Sequence, residues 1–63
     1  MKWVEIIGTH VNMSLVETFV WHDGQLHVFF HGDNKVTKVD DPDQELYLKM
    51  CRSQGIQPYK EEV

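Results

Sequence analysis

The sequence predicts an α+β fold: an antiparallel β-meander of three to four strands, followed by one C-terminal helix packed on one face of the sheet. Strand-forming residues dominate, with eight valines, three isoleucines, three threonines and seven aromatic residues, and alanine is absent. An Asp-Gly pair separates two strand-like segments, and an Asp-Pro pair precedes a helical pattern. At 63 residues, the chain is expected to form a single small domain over residues 1–63.

The first strand is expected at about residues 3–7, because its valine and isoleucines favour extended structure and Gly8 ends the pattern. The following segment, residues 9–15, fits two alternatives. Asn12 and Ser14 favour a turn, whereas the apolar residues around them favour a further strand.

The strongest local signal is a β-hairpin with strands at about residues 16–22 and 25–31. They flank Asp23-Gly24, a favoured pair for a two-residue type I′ turn, in which both residues need a positive φ. This turn fixes the pairing, and side chains then alternate between two faces. The face expected to pack in the core carries Phe19, Trp21, Leu26, Val28 and Phe30. The opposite face carries Thr18, Val20, His22, Gln25, His27, Phe29 and His31.

A second turn at residues 32–34 leads to a shorter and more charged strand at about residues 35–40. We expect this strand near a sheet edge, where its lysines discourage unwanted pairing. The turn has either two or three residues, and this decides whether Val36 points to the core. The sequence leaves both alternatives open.

The C-terminal helix is expected at about residues 42–54. Asp41 suits the N-cap position, and Pro42 suits the first helical position, where its missing N–H costs nothing. Gly55 suits the left-handed residue that ends a helix, and residues 57–63 are expected to form a frayed tail. The apolar stripe of this helix consists of Leu46, Tyr47, Met50 and Cys51.

Charge and composition disfavour several classes of protein. The formal net charge is −4, and nucleic-acid binding needs a concentrated basic surface, so a nucleic-acid partner is not expected. The chain has no apolar segment near the roughly 18 residues of a membrane span, and its N-terminus lacks a signal-peptide pattern. With one cysteine an intramolecular disulfide is impossible, which fits a reducing compartment, so we expect a cytoplasmic protein without a membrane contact.

The sequence contains no recognisable catalytic motif. Cys51 lies within the apolar stripe of the predicted helix and is expected to be a small buried hydrophobe rather than a nucleophile. The four glycines stand singly, so no phosphate-binding loop is present. We therefore expect a protein that is not an enzyme and has no cofactor.

Three of the four histidines lie on the opposite face of the hairpin, which we call the mixed face because it carries both polar and apolar residues. His27 and His31 lie about 13 Å apart along a strand at roughly 3.3 Å per residue, too far to share one metal ion. His22 and His27 form a diagonal cross-strand pair at roughly 7 Å and are weak candidates for a metal site that would need a third ligand. No metal is expected.

The mixed face is better explained as a contact surface. Val20 and Phe29 are exposed there if the helix covers the other face, and His22, His27 and His31 surround them. Apolar residues rimmed by polar ones are typical of protein interfaces. A chain this short also gains little stability from its core, which favours association with a second chain.

We therefore expect a small regulatory or inhibitory interaction module that binds a protein of unknown identity and acts as a homodimer, formed either through this face or by pairing of an exposed edge strand. Two alternatives remain open. One is a single-stranded nucleic-acid binder that uses Trp21, Phe29 and Lys38, since aromatic side chains stack on bases. The other is a metal- or pH-responsive protein that uses its histidines.

The order of elements has one resemblance. The segment Leu26-His27-Val28-Phe29-Phe30, followed by Gly32 and by a helix after Val39, resembles the strand–turn–helix layout of small bacterial and phage-encoded domains such as the KTSC domain. The resemblance lies in hydrophobic spacing, and it implies a meander closed by a helix. It carries over no functional residue.

Overall fold

The computed structural model describes residues 2–58 and confirms an α+β fold. Its strands form two antiparallel sheets, one of two strands and one of three, and the C-terminal helix packs against them. No helix in the described range is long and apolar enough to cross a membrane. The elements are β1 (Trp3–Ile6), β2 (Thr9–Asn12), a 3-10 turn (Met13–Leu15), β3 (Val16–His22), β4 (Gln25–Phe30), β5 (Val36–Asp40) and α1 (Glu45–Gln54).

The central hairpin forms as the sequence predicts. Asp23 and Gly24 have φ values of 51° and 77°, and β3 pairs with β4 so that Val20 lies opposite His27 and His22 opposite Gln25. The pairing register shifts by one residue between Val16 and Thr18, as in a β-bulge. The sequence contains no glycine or proline there that could have indicated the shift.

The chain before the central hairpin forms a second hairpin. It shows which parts of residues 9–15 are strand and which are turn. The predicted first strand, about residues 3–7, ends one residue earlier, because Ile7 and Gly8 form a two-residue turn with φ values of 47° and 77°. Residues 9–12 then pair back on β1. The rest of the segment is a 3-10 turn, in which the Asn12 side chain accepts a hydrogen bond from the Ser14 N–H at 3.0 Å.

Ile7 has an unfavourable backbone conformation for its residue type. It has a positive φ, which a β-branched residue rarely adopts, and the residue is 71% exposed, so burial does not compensate for the strain. We expect Ile7→Asn to raise the free energy of unfolding by about 1 kcal/mol, because asparagine suits this position of a type I′ turn. Thermal unfolding followed by circular dichroism measures this. Ile7→Val keeps the branched side chain and serves as the control, and equal melting temperatures for both variants would refute the expectation.

Two strand boundaries near the second turn differ from the prediction. β4 ends at Phe30 rather than at residue 31, so His31 lies in the turn, and β5 begins at Val36 rather than at residue 35. The β4–β5 register places Val36 opposite Phe29, and residues directly opposite each other share a face. Val36 therefore points away from the core.

The helix begins later than predicted, at Glu45 rather than near residue 42. Gln44 is the residue before it and has a left-handed φ of 62° without a side-chain cap bond. Asp41 still caps the helix, but across a longer turn: its two carboxylate oxygens accept hydrogen bonds from the N–H groups of Leu46 at 3.0 Å and Tyr47 at 2.9 Å. Pro42 lies in the turn between Asp41 and the first residue of the helix.

The end of the helix agrees with the prediction. Gly55 has a φ of 68°, its N–H donates to the carbonyl of Arg52, and the Ile56 N–H donates to the carbonyl of Cys51 at 2.9 Å. These two bonds form a Schellman motif. The predicted frayed tail, residues 57–63, lies largely outside the described residues, because the description ends at residue 58.

The core lies between the inner face of the three-stranded sheet on one side and the helix with the β1–β2 hairpin on the other. Leu26 and Val28, both expected in the core, are fully buried, and Phe19, Trp21 and Phe30 are half-buried against it. The buried apolar residues are Val4, Ile6, Met13, Leu26, Val28, Tyr47, Met50 and Cys51.

Candidate protein-interaction surface

The face of the three-stranded sheet that points away from the core forms three cross-strand rows. We call this surface the outer face. Its strands are held in register by the two ladders of the sheet, and its residues are exposed or half-buried. The rows are Thr18–Phe29–Val36, Val20–His27–Lys38 and His22–Gln25–Asp40.

An apolar patch lies at one end of the outer face. Phe29 on the middle strand is 36% exposed and Val20 on the neighbouring strand is 43% exposed, and Val36 extends this patch across β5. Polar and charged side chains occupy the other positions of the three rows. Protein interfaces commonly combine apolar residues with polar neighbours, so this patch is a candidate contact surface.

His22 and His27 lie next to each other on this face. Their ring centroids are 6.4 Å apart, and the rings are inclined at 71°. The Nε2 atom of His27 is buried and has no hydrogen-bond partner among residues 2–58. A buried polar atom without a partner costs free energy, so this imidazole is destabilising in the arrangement seen here.

The structure separates His31 from the other predicted contact residues. Val20, His22, His27 and Phe29 lie together on the outer face, as expected, whereas His31 lies in the turn after β4. Its Nδ1 is 3.8 Å from the Glu17 carboxylate, and both side chains are largely exposed. This contact is an ion pair only when His31 is protonated, and exposed pairs contribute little stability.

The geometry gives no support to a metal site at the His22–His27 pair. Among residues 2–58, no group of three or more His, Cys, Asp or Glu side chains is arranged to hold a metal ion. Two imidazoles without a third protein ligand do not make a structural zinc site.

The aromatic residues considered for base stacking do not form one platform. Trp21 is half-buried on the inner face, where its Nε1–H donates to the Asp41 carbonyl at 2.7 Å, whereas Phe29 is on the outer face. A stacking surface that combines both rings is therefore absent. Cys51, the other candidate for chemistry, is buried in the core.

Sequence reasoning missed the contribution of β5 to this surface. Val36, Lys38 and Asp40 complete the three rows, but their face depends on the length of the turn before them. A turn of one residue more or less would have moved all three to the core side, since side chains alternate along a strand. In the sequence Lys-Val-Thr-Lys-Val-Asp, one valine lies on each face, so the pattern does not indicate which face of the strand points to the core.

The comparisons with known proteins identify no relative. No family model, curated protein or solved structure gave a significant match to this chain. The likeness to the KTSC layout therefore rests on hydrophobic spacing.

Proposed function

We propose that the chain is a small non-enzymatic interaction module, regulatory or inhibitory in role, that acts as a homodimer through its outer face. The observation that carries this proposal is the apolar patch of Phe29, Val20 and Val36 on the side of the sheet that faces away from the core, in which Phe29 and Val20 are exposed and Val36 is half-buried. Contact with a second chain would remove this patch from water, and burial of apolar surface drives most protein association.

The size of the outer face indicates a weak contact. Three strands about 4.8 Å apart and five residues of about 3.3 Å each give a flat area of only about 14 by 17 Å. A stable interface buries roughly 800 Å² on each partner, which is more than this face offers even with its side chains. The proposed homodimer therefore belongs to the transient class, with a dissociation constant on the order of 100 µM.

The proposal is tested by placing a charge in the centre of the patch. We expect Phe29→Lys to weaken the contact through the outer face at least about tenfold, because a lysine at the contact would have to be desolvated. The measurement is a dilution series followed by two-dimensional NMR, in which the amide signals of Val20, His27 and Phe29 move with concentration. Sedimentation equilibrium gives the mass in parallel.

Trp3→Lys is the matched control, because Trp3 is 52% exposed on the other sheet. It should leave the concentration-dependent shifts of the outer face unchanged. A wild-type chain whose outer-face signals do not move up to about 1 mM would rule out the proposed contact, since that concentration exceeds the expected dissociation constant.

A further inference from the structure

β5 is an edge strand with a row of free backbone groups. It pairs with β4 on one side, and the Asp41 N–H donates to the Gly24 carbonyl at 2.9 Å in the same ladder. Because the N–H and C=O groups of successive residues point to alternate sides of a strand, this bond shows which residues of β5 point these groups towards β4 and which point them away from it. The N–H and C=O groups of Val36, Lys38 and Asp40 point outward, and they have no backbone partner among residues 2–58.

The charges on this edge favour one particular partner. Lysine on an edge strand usually opposes pairing, and two copies of β5 centred on Lys38 would place the two Lys38 ammonium groups together. A pairing register shifted by one residue places opposite charges, rather than like charges, across from each other. Two antiparallel copies centred on Val39 place Lys38 of each copy directly opposite Asp40 of the other, so two opposite-charge pairs form.

The inner side of the same edge borders an open apolar cleft of about 290 Å³ between the two sheets. Thr37 and Val39 of β5 and Val11 of β2 lie on its walls. In the register centred on Val39, the Val39 side chains of both copies lie side by side on the inner face and extend its apolar surface. The cleft is lined by Ile6, Thr9, Val11, Val28, Phe30, Thr37 and Val39.

We propose that a second copy of this chain pairs antiparallel with β5, with Val39 on the two-fold axis, and so joins two three-stranded sheets into one of six strands. Lys38 and Asp40 of each copy exchange backbone hydrogen bonds with Asp40 and Lys38 of the other, four bonds in total, and their side chains form the two ion pairs. The two-fold axis is normal to the sheet. The contact proposed for the outer face has its axis in the sheet plane, so the two contacts are independent.

The charge pairs are tested in the Phe29→Lys background, where the outer-face contact is suppressed, so that the two proposals fail separately. We expect this chain still to dimerise. Adding Lys38→Glu or Asp40→Lys should weaken the dimer at least about tenfold, because each puts like charges opposite each other. The combination of both reversals should restore the dissociation constant to within about threefold. Matching melting curves show that the variants are folded.

The register is tested by a disulfide in the Phe29→Lys, Cys51→Ala background. A cysteine at position 39 lies on the axis, where opposed residues are about 4.5 to 5.5 Å apart, which is within reach of a disulfide. We expect Val39→Cys to form a covalent dimer under oxidation with glutathione and Thr37→Cys to remain a monomer. A monomeric Phe29→Lys chain at about 1 mM, charge reversals that do not compensate, or equal crosslinking at both positions would overturn the proposal.

Discussion

Replacing Asp41 with alanine is expected to lower the free energy of unfolding by about 2 to 4 kcal/mol, because two backbone N–H groups at the start of the helix lose their acceptor. Asp41 is buried, and its carboxylate receives the N–H groups of Leu46 and Tyr47. Its backbone also joins the helix to the sheet, since its N–H donates to Gly24 and its carbonyl accepts from Trp21.

A loss of this size is large for so small a domain. Domains of this length have roughly 3 to 9 kcal/mol of stability, and 1 kcal/mol corresponds to about 4 to 8 °C in melting temperature. The Asp41→Ala chain should therefore melt roughly 10 to 25 °C lower or be unfolded at room temperature. Asp41→Asn keeps one acceptor oxygen and should lie between the variant and the wild type.

Thermal and urea unfolding followed by circular dichroism measure the effect, and Asp43→Ala is the matched control. Asp43 carries the same side chain in the same turn, but it is exposed. Its replacement should change the free energy of unfolding by less than about 1 kcal/mol, as expected for a charge near a helix N-terminus. Equal losses for the two alanine variants would contradict the role assigned to Asp41.

Leu26→Ala is expected to cost about 2 to 5 kcal/mol, the range found for large-to-small changes in a packed core. Leu26 has no exposed surface, and it lies between Trp21 on β3 and Val39 on β5. The truncation leaves a cavity in the middle strand of the larger sheet, where the neighbouring strands prevent the backbone from closing it.

The control for this variant is Leu15→Ala, which makes the same chemical change at a residue that is 56% exposed. Its melting temperature should fall by only a few degrees, whereas Leu26→Ala should fall by roughly 10 °C or more. If Leu26→Ala cost no more stability than Leu15→Ala, the assignment of the core face of β4 would be wrong.

The parts of the fold that the sequence predicted are those set by a local signal. Asp23-Gly24 fixed the central hairpin and its register, and Gly55 marked the end of the helix. The first hairpin was left undecided because Ile7 occupies a turn position that favours asparagine, aspartate or glycine. The helix begins three residues later than predicted because Asp41 reaches its two N–H partners across four and five intervening residues, a distance that a simple N-cap pattern does not include.

The candidate surface was predicted in part for the same reason. Val20, His22, His27 and Phe29 follow from the hairpin register and lie on one face. The position of His31 depended on where β4 ends, and the role of β5 depended on how it pairs with β4. Both features depend on how strands pair with each other, which the local pattern of a single sequence does not determine.

The two tryptophans report on different parts of the molecule. Trp3 is exposed on the smaller sheet, whereas the indole N–H of Trp21 is bonded to the carbonyl of Asp41, where the larger sheet meets the helix. A Trp3→Phe chain carries a single tryptophan, located at that junction, and indole emission responds to hydrogen bonding and to water. Its emission would reveal detachment of the helix as an event separate from global unfolding, without any added label.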